Sequence, residues 1–477
     1  MSDIIGTRVG RDAKTRAQYQ NWNAVKDQLQ VIMLLDFIPA SDGGAGGGLS
    51  TDRVVPGRAS DALCDAILRF QKQHFPPAQQ SGFVDPGDAV ITRMEKLAWR
   101  HPAAPKAAGQ WDEFQTVSVR RALREALKDD PHLSQGKVVD ILYSTLSDGT
   151  VTAGELDDLQ LVADKSTTIE PRTKAMLELF VKEARSKRSA RGPYELATPR
   201  HIDAAEIVCN FLKGVGRGRW LNLDRDEIGV GMLMRLAYPG LLRQGQASLC
   251  GPAAFLFVLL QDRPASYARF AADMYDKGTA MLGGLSVTPN DSVRQYPAPY
   301  WQINTSIVGA PSAVWHYPPK IDPVDWVTMA SLRDSENWFC TYDTADKEFE
   351  GATTPMELVW WLNKAGYSDV RHDFNLLRHQ RGTENMDEAS RLYSAGYRVC
   401  LLIDYQMIET QQQAESGSSL GMDEHWVVLR SRIDRSGGNV KMTIFTWGDA
   451  NRQVPQSGVL PLDDFLMNYH GYVAGRP

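Results

Sequence analysis

The chain has 477 residues, 43% of them hydrophobic, and a formal net charge of −6. That length predicts about three domains of ~150 residues each, and the negative charge gives no basic footprint for nucleic acid. No stretch reaches the ~18 apolar residues of a membrane-spanning helix, and five scattered cysteines do not make a disulfide framework. The N-terminus lacks the basic and apolar segments of a Sec signal peptide, so we expect synthesis and folding in a reducing cytoplasm.

Residues 1–105 predict a small helical domain. Trp22–Phe37 has helical apolar spacing, and a Gly-rich loop, Gly43–Gly48, follows it. A second helix carries Ala66-Ile67-Leu68-Arg69-Phe70-Gln71, and the turn Val84-Asp85-Pro86-Gly87 leads into a third helix over Val90–Leu97. These segments resemble the three-helix peptidoglycan-binding domain, although the Gly-rich insertion departs from its pattern. A generic helical adaptor with the same core positions is the alternative.

Residues 106–195 predict a helical connecting domain. Within it Ser144–Glu155 has the length of a calcium-binding loop, but its first and third places lack carboxylates. Thr152 and Glu155 instead predict a capping box at a helix start. The basic stretch Lys182–Pro193 ends in helix breakers and predicts a solvated linker at a domain boundary.

The predicted last domain, residues 196–477, contains the candidate nucleophile, Cys250. Gly251, Pro252 and then eight apolar residues follow it. Proline suits the first turn of a helix, and a helix that is apolar all round is buried. The sequence therefore predicts a buried helix whose N-terminus lies at the Cys250 sulfur, where the helix dipole and a nearby imidazolium would lower the pKa of the thiol.

Two further residues complete the reactive pair and its oxyanion site. His425 heads an apolar strand, His425–Leu429, and would take the thiol proton and return it to the leaving group. Gln244 lies six residues before Cys250 and would donate to the oxyanion together with the backbone N–H of Cys250.

The imidazole also needs an orienting partner. Gly437-Gly438-Asn439 predicts a turn, and Val440–Asp449 predicts a second strand. A hairpin of these strands would bring Asp449 back beside the histidine. Asp423 and Glu424 are nearer in sequence, but we expect them to point away from the start of the strand.

The fold class expected is α+β. Tyr397–Asp404 predicts a central strand, which joins the two later strands in an antiparallel sheet packed on the nucleophile helix, with small α-helical domains before it. Gln244-Gly245 and Cys250-Gly251-Pro252-Ala253-Ala254 resemble the papain superfamily, in the branch with the leader peptidases of bacteriocin transporters. The resemblance covers about the last half of the chain and implies a papain-like Cys-His-Asp hydrolase. Leu249 stands where that branch carries Asp, and Trp447-Gly448-Asp449 replaces its Asp-Pro.

Together these features lead us to expect a secreted antibacterial effector, with type VI secretion as the route. It would cleave amide bonds of peptidoglycan in the periplasm of a target cell, and its partners would be a secretion-system component and an immunity protein. One alternative is a cysteine protease or deamidase toxin that acts on a cytosolic protein, and another is a degenerate hydrolase fold used as an adaptor. We find no sequence motif for a cofactor and no His/Cys cluster for a metal.

Overall fold

The computed structural model describes most of the chain after residue 57 and short stretches before it. The described residues are 5, 8–11, 23, 27–28, 31–32, 34–35, 38–45, 49, 58–98, 114–128, 130, 132–165, 169–244, 247–296, 321–336, 353–374, 382–409 and 424–477. The chain divides into two compact units: Met1–Val138 with Leu161–Lys174, and Val139–Gln160 with Ala175–Pro477. Among the described helices, none combines the length and the apolar character that crossing a membrane requires.

The first unit contains the helices predicted from its apolar spacing. The early elements are β1 Val9–Gly10, α1 Asp61–His74, β2 Phe83–Val84, α2 Ala89–Ala98 and α3 Val117–Ala126. β1 pairs antiparallel with β2, and Ser60 caps α1 by accepting a hydrogen bond from the backbone N–H of Leu63 (3.2 Å). The apolar faces of β1, α1, β2 and α2 form one buried cluster around Ile67 and Phe70. Trp22, Met33 and other parts of the first predicted helix lie outside the described residues.

The glutamine of the Ala-Ile-Leu-Arg-Phe-Gln run has a structural role. Gln71 is fully buried, and its side chain accepts from the backbone N–H of Gly82 (2.8 Å) and donates to the carbonyl of Phe83 (2.8 Å). The side chain thereby joins α1 to the turn at Gly82, whose φ of +75° suits glycine. This part of the motif is therefore explained by folding alone.

The remaining helices surround the sheet or lead to it. In chain order they are α4 Gln135–Leu146, α5 Ala153–Lys165, α6 Pro171–Arg191, α7 Pro199–Leu212, α8 Arg225–Ala237, α9 Cys250–Asp262, α10 Pro264–Lys277, α11 Asp291–Gln295, α12 (Pro323–Asp325, the π-helical turn Trp326–Ala330 and Ser331–Ser335), α13 Pro355–Lys364, α14 Thr383–Ser394, α15 Gln406–Glu409 and α16 Leu462–Met467. Two short antiparallel pairs join β3 Thr150–Val151 to β4 Tyr194–Glu195 and β5 Ala280–Leu282 to β6 Leu285–Val287.

A six-stranded antiparallel sheet forms the centre of the second unit. Its order is β11-β10-β9-β8-β12-β7. The strands are β7 Ser368–Phe374, β8 Arg398–Asp404, β9 Glu424–Leu429, β10 Met442–Thr446, β11 Asp449–Val454 and β12 Tyr469–Arg476. The α+β class with an antiparallel sheet agrees with the sequence-based prediction.

The two faces of the sheet bury different partners because side chains alternate along a strand. Val427 and Leu429 of β9 join a cluster with Ile403 and with residues of α14 and α16. Phe445 of β10 points to the other face, where its ring stacks on Phe257 of α9 with centroids 3.8 Å apart. The helix α9, apolar on all sides, is thus buried between the sheet and other helices, as its sequence predicts.

Two local predictions from the middle of the chain have different outcomes. The capping box is present: Glu155 N–H donates to Thr152 Oγ1 (3.2 Å), and Thr152 N–H donates to Glu155 Oε2 (2.9 Å). The stretch Lys182–Pro193, predicted as a solvated linker, is instead mostly the C-terminal half of α6. The error arises because the many basic residues of this stretch suggest a fully exposed segment. The helix nevertheless has a buried face, since Phe180 and Ala184 are fully buried.

Candidate active site

Cys250 is the first residue of α9, and its side chain differs from those of the other described cysteines. Cys64, Cys209 and Cys400 are buried free thiols, whereas Cys250 is partly exposed. Burial raises the pKa of Cys209 and of Cys400 to about 12, which makes these thiols inert at neutral pH. Of the described cysteines, Cys250 is therefore the one that keeps part of its residue surface in contact with solvent.

The thiol of Cys250 is surrounded by backbone donors. Burial raises its pKa, and three N–H groups, of Trp426, Gly251 and Cys250 itself, act in the opposite direction together with the guanidinium of Arg333. The sequence-based expectation of a lowered pKa is therefore wrong for this arrangement, because desolvation outweighs the helix N-terminus. The N–H of Trp426 places the thiol against β9, one residue beyond His425.

His425 is buried on β9 and lies opposite Ile403 of β8. Its Nε2 is 2.6 Å from Oγ1 of Thr446 at the end of β10, and its ring stacks on Trp447 with centroids 4.9 Å apart. Burial lowers the pKa of the imidazole to about 3, so the ring is neutral at physiological pH. Because Thr446 engages Nε2, Nδ1 is the nitrogen left to exchange a proton with a reactant.

The thiol and the imidazole lie beside the same stretch of β9 but on opposite faces of the sheet. His425 shares the face of Val427 and of its paired neighbour Ile403, whereas α9 packs on the other face against Phe445. Within the described part of the chain, the hydrogen bonds of His425 and Cys250 do not include one between the two side chains. Both groups are neutral, so a proton would transfer during attack on a substrate rather than before it. The pairing of Cys250 with His425 therefore stays a prediction from the sequence.

The sequence predicts that Asp449 orients the imidazole of His425. In the structure the hydroxyl of Thr446 makes that contact instead. Asp449 begins β11, directly across the hairpin from Thr446, but its Oδ1 accepts the backbone N–H of Asn451 (2.9 Å). This local turn engages the carboxylate, which explains why the aspartate that follows the two-residue hairpin turn does not hydrogen-bond the ring. Glu424 lies opposite Asp404 on the exposed start of β9, and Asp423 lies outside the described residues.

We predict that Thr446→Val lowers turnover by roughly 10–100-fold, which is part of the 10²–10⁴-fold that a general base contributes. The valine keeps the volume and removes the group that fixes the tautomer and orientation of His425. Thr446→Ser should retain most of the activity. The control is Asp449→Ala, and steady-state kinetics with a pH profile for each variant is the measurement. A steep loss in Asp449→Ala with normal turnover in Thr446→Val would restore the sequence-based assignment.

The turn that follows Thr446 has an unusual backbone. Trp447 and Gly448 have φ values of +46° and +81°, as a two-residue hairpin turn of type I′ requires. A bulky residue rarely adopts a positive φ, and such strain is found at functional sites. The strained conformation brings the indole onto the imidazole. Arg191, at the end of α6, donates from Nη2 to the carbonyl of Gly448 (2.7 Å) and fixes the turn.

A buried ion pair positions the chain that leads to Gln244. Arg235 of α8 donates from Nε and Nη2 to the two carboxylate oxygens of Asp325, each at 2.6 Å. Oδ2 of Asp325 also accepts the backbone N–H of Arg243 (3.0 Å). Gln244 is half-buried and follows directly. Its predicted role as an oxyanion donor stays a prediction, because residues 245 and 246 between it and Cys250 are outside the described chain.

Sequence reasoning missed a second histidine near the sheet centre. His470 of β12 lies 2.8 Å from Oδ1 of Asp404 at the end of β8, measured from Nε2, and both side chains are buried. Asp404 adjoins Ile403, the residue opposite His425. The signal in the sequence is weak, because His470 follows closely after the last helix, at the start of β12.

Comparisons with known proteins assign no family to this arrangement. The chain matches no protein-family model, no curated protein and no solved structure. Among the described residues, no group of three or more His, Cys, Asp or Glu side chains is placed to hold a metal ion.

Proposed function

We propose that the chain is a papain-like cysteine hydrolase in which Cys250 attacks an amide carbonyl and His425 transfers the proton. The observation that carries the proposal is the position of Cys250, a partly exposed residue at the N-terminus of the buried helix α9, whose thiol lies against β9 one residue beyond His425. Thr446 and Trp447 support it by holding the imidazole. A buried structural cysteine needs none of these features.

The reaction would proceed through an acyl-enzyme. The sulfur attacks the acyl carbon, the S–C bond forms, and the thiol proton passes to the neutral imidazole. The imidazolium then protonates the amine as the C–N bond breaks. Water, deprotonated by the same imidazole, hydrolyses the thioester and restores the thiol. The N–H groups at the start of α9 and the side chain of Gln244 are the candidate donors to the oxyanion.

For the substrate we propose the peptide of peptidoglycan, and for the biological role an antibacterial effector. The resemblance of the N-terminal unit to peptidoglycan-binding domains supports this choice. The buried contacts of Gln71 reduce the weight of that resemblance, because they show that part of the motif serves the fold. A secretion-system component for delivery, such as that of type VI secretion, and an immunity protein would be the partners.

Expression in two compartments tests the proposed substrate. We expect the chain to be harmless in the bacterial cytoplasm and, when fused to an export signal, to lyse or round the cells, because its substrate lies only in the periplasm. Cell morphology and survival are the readout. The matched control is the same pair of chains with Cys250→Ala, which should be harmless in both compartments.

The opposite pattern would contradict the cell-wall proposal. Toxicity in the cytoplasm that depends on Cys250, with no effect after export, would favour the cytosolic protein substrate. Purified muropeptides left uncleaved by a folded protein whose Cys250 reacts with thiol reagents would lead to the same conclusion.

A further inference from the structure

A buried hydroxyl lies beside the N-terminus of α9 without a hydrogen-bond partner. Thr353 is only 7% exposed, and its Oγ1 has no partner among the described residues. A buried hydroxyl without a partner carries a desolvation cost of about 1–3 kcal/mol, and native proteins retain few such groups. The most direct reason to keep one in a reactive site is that a substrate supplies the missing partner.

The side chain of Thr353 points at the residue next to the nucleophile. A Cβ built on Gly251 would lie 2.3 Å from both Cβ and Oγ1 of Thr353. Glycine at position 251 is thus required by the close approach of this threonine rather than by the helix. Gly251 belongs to the first turn of α9, whose free N–H groups form the positive end of the helix dipole.

Two contacts hold Thr353 in this place. Its carbonyl accepts the indole N–H of Trp426 (2.8 Å), and the backbone N–H of the same Trp426 is directed at the Cys250 thiol. The next residue, Thr354, caps α13 through a capping box with Glu357, with hydrogen bonds of 2.6 and 3.3 Å. One tryptophan therefore contacts both the thiol and the threonine, and the backbone of Thr353 is held in place.

We propose that the hydroxyl of Thr353 is a catalytic hydrogen-bond donor, which binds the carbonyl oxygen of the acyl group that Cys250 attacks. The proposal deepens the hydrolase function and rests on it. A donor fixed before the substrate arrives stabilises the negative charge that develops on this oxygen, at no cost of reorganisation. Thr353 would then act with the backbone N–H of Cys250, in addition to Gln244 or in its place.

The test compares two reactions of Cys250 in the full chain. With p-nitrophenyl acetate the sulfur attacks the carbonyl carbon, the S–C bond forms, the proton passes to His425, and p-nitrophenolate leaves with the electron pair of the broken C–O bond. An oxyanion forms on the way. With iodoacetamide the sulfur displaces iodide, and no oxyanion forms.

We expect Thr353→Val to slow acetylation of Cys250 by roughly 10²–10³-fold, as for loss of one oxyanion donor, and to leave alkylation by iodoacetamide unchanged. Thr353→Ser should acetylate at close to the wild-type rate. The melting temperature of Thr353→Val should not fall, because valine removes a buried polar group that has no partner. The matched control is Thr145→Val, which removes a buried hydroxyl that bonds the carbonyl of Leu142 (2.8 Å) outside the site.

Equal acetylation rates in wild type and Thr353→Val would overturn the inference, and so would equal slowing of acetylation and alkylation. The outcome is separable from that of the proposed function. Muropeptides could stay uncleaved while acetylation of Cys250 still depends on Thr353. That result would reject the proposed cell-wall substrate and support the role of Thr353 as oxyanion donor.

Discussion

Replacing Cys250 with alanine is expected to reduce hydrolase turnover by roughly 10⁴–10⁶-fold, and His425→Ala should be about as damaging because the two residues act as one unit. The fold should survive the change at Cys250, since the residue is partly exposed and little buried volume is lost. Release of products from muropeptides, with circular dichroism of each variant, is the measurement.

The matched control for this experiment is Cys64→Ala in the first unit. Cys64 is also a free thiol, but it is buried in α1, where it serves as a small core residue. Cys64→Ala should keep its activity and lose only a little stability. A folded Cys250→Ala protein with wild-type turnover would end the enzymatic interpretation.

The largest effect on stability is expected from Arg235→Met, at about 3–5 kcal/mol of unfolding free energy. The change leaves Asp325 buried without its cation, and Asp325 is 0% exposed. Burial already raises the pKa of this carboxyl to about 6 beside the arginine, and removal of the guanidinium raises it further. The charged form is the costly one, so the loss should be greater at about pH 8 than at about pH 5.

Urea unfolding at both pH values measures this effect. The double variant Arg235→Met/Asp325→Asn should recover most of the stability, because the amide is neutral and still offers an oxygen to the N–H of Arg243. A loss in Arg235→Met that is the same at both pH values, or no gain in the double variant, would mean that the pair stabilises the protein by packing and not by charge.

The elements around the nucleophile could be predicted because local and global signals agree there. The apolar run after Cys250 predicts a buried helix, and α9 is found at Cys250–Asp262. The predicted central strand, Tyr397–Asp404, is found as β8 over Arg398–Asp404. Strong periodicity and clear helix signals specify such elements without knowledge of their neighbours.

The orienting group of His425 could not be predicted from the same signals. A threonine inside a strand is expected for its β-branched side chain alone, so Thr446 gives no sign of a functional hydroxyl. An aspartate after the strand is the conventional choice, but at this position its own turn uses the carboxylate. Whether Thr446 or Asp449 contacts the imidazole depends on the pairing register of β10 and β11.

The remaining contacts depend on residues that are distant in the sequence. Arg235 and Asp325 are ninety residues apart, and Thr353 approaches Gly251 across about a hundred residues. No local pattern marks these residues, because each is defined by the packing of one helix on another. The same holds for the positive φ of Trp447, which propensity alone would assign to an ordinary strand residue.

The hydrogen bond from Arg191 to Gly448 has a consequence for how the chain can be divided into fragments. A fragment that begins at residue 196, where the sequence suggests a boundary, would lack α6 and β4 and so lose the arginine that holds the turn over the imidazole. It would also uncover Tyr238, which packs edge-on against Tyr194 of β4. A fragment meant to test the proposed activity should therefore begin before α6, within the stretch that the sequence suggests is a spacer.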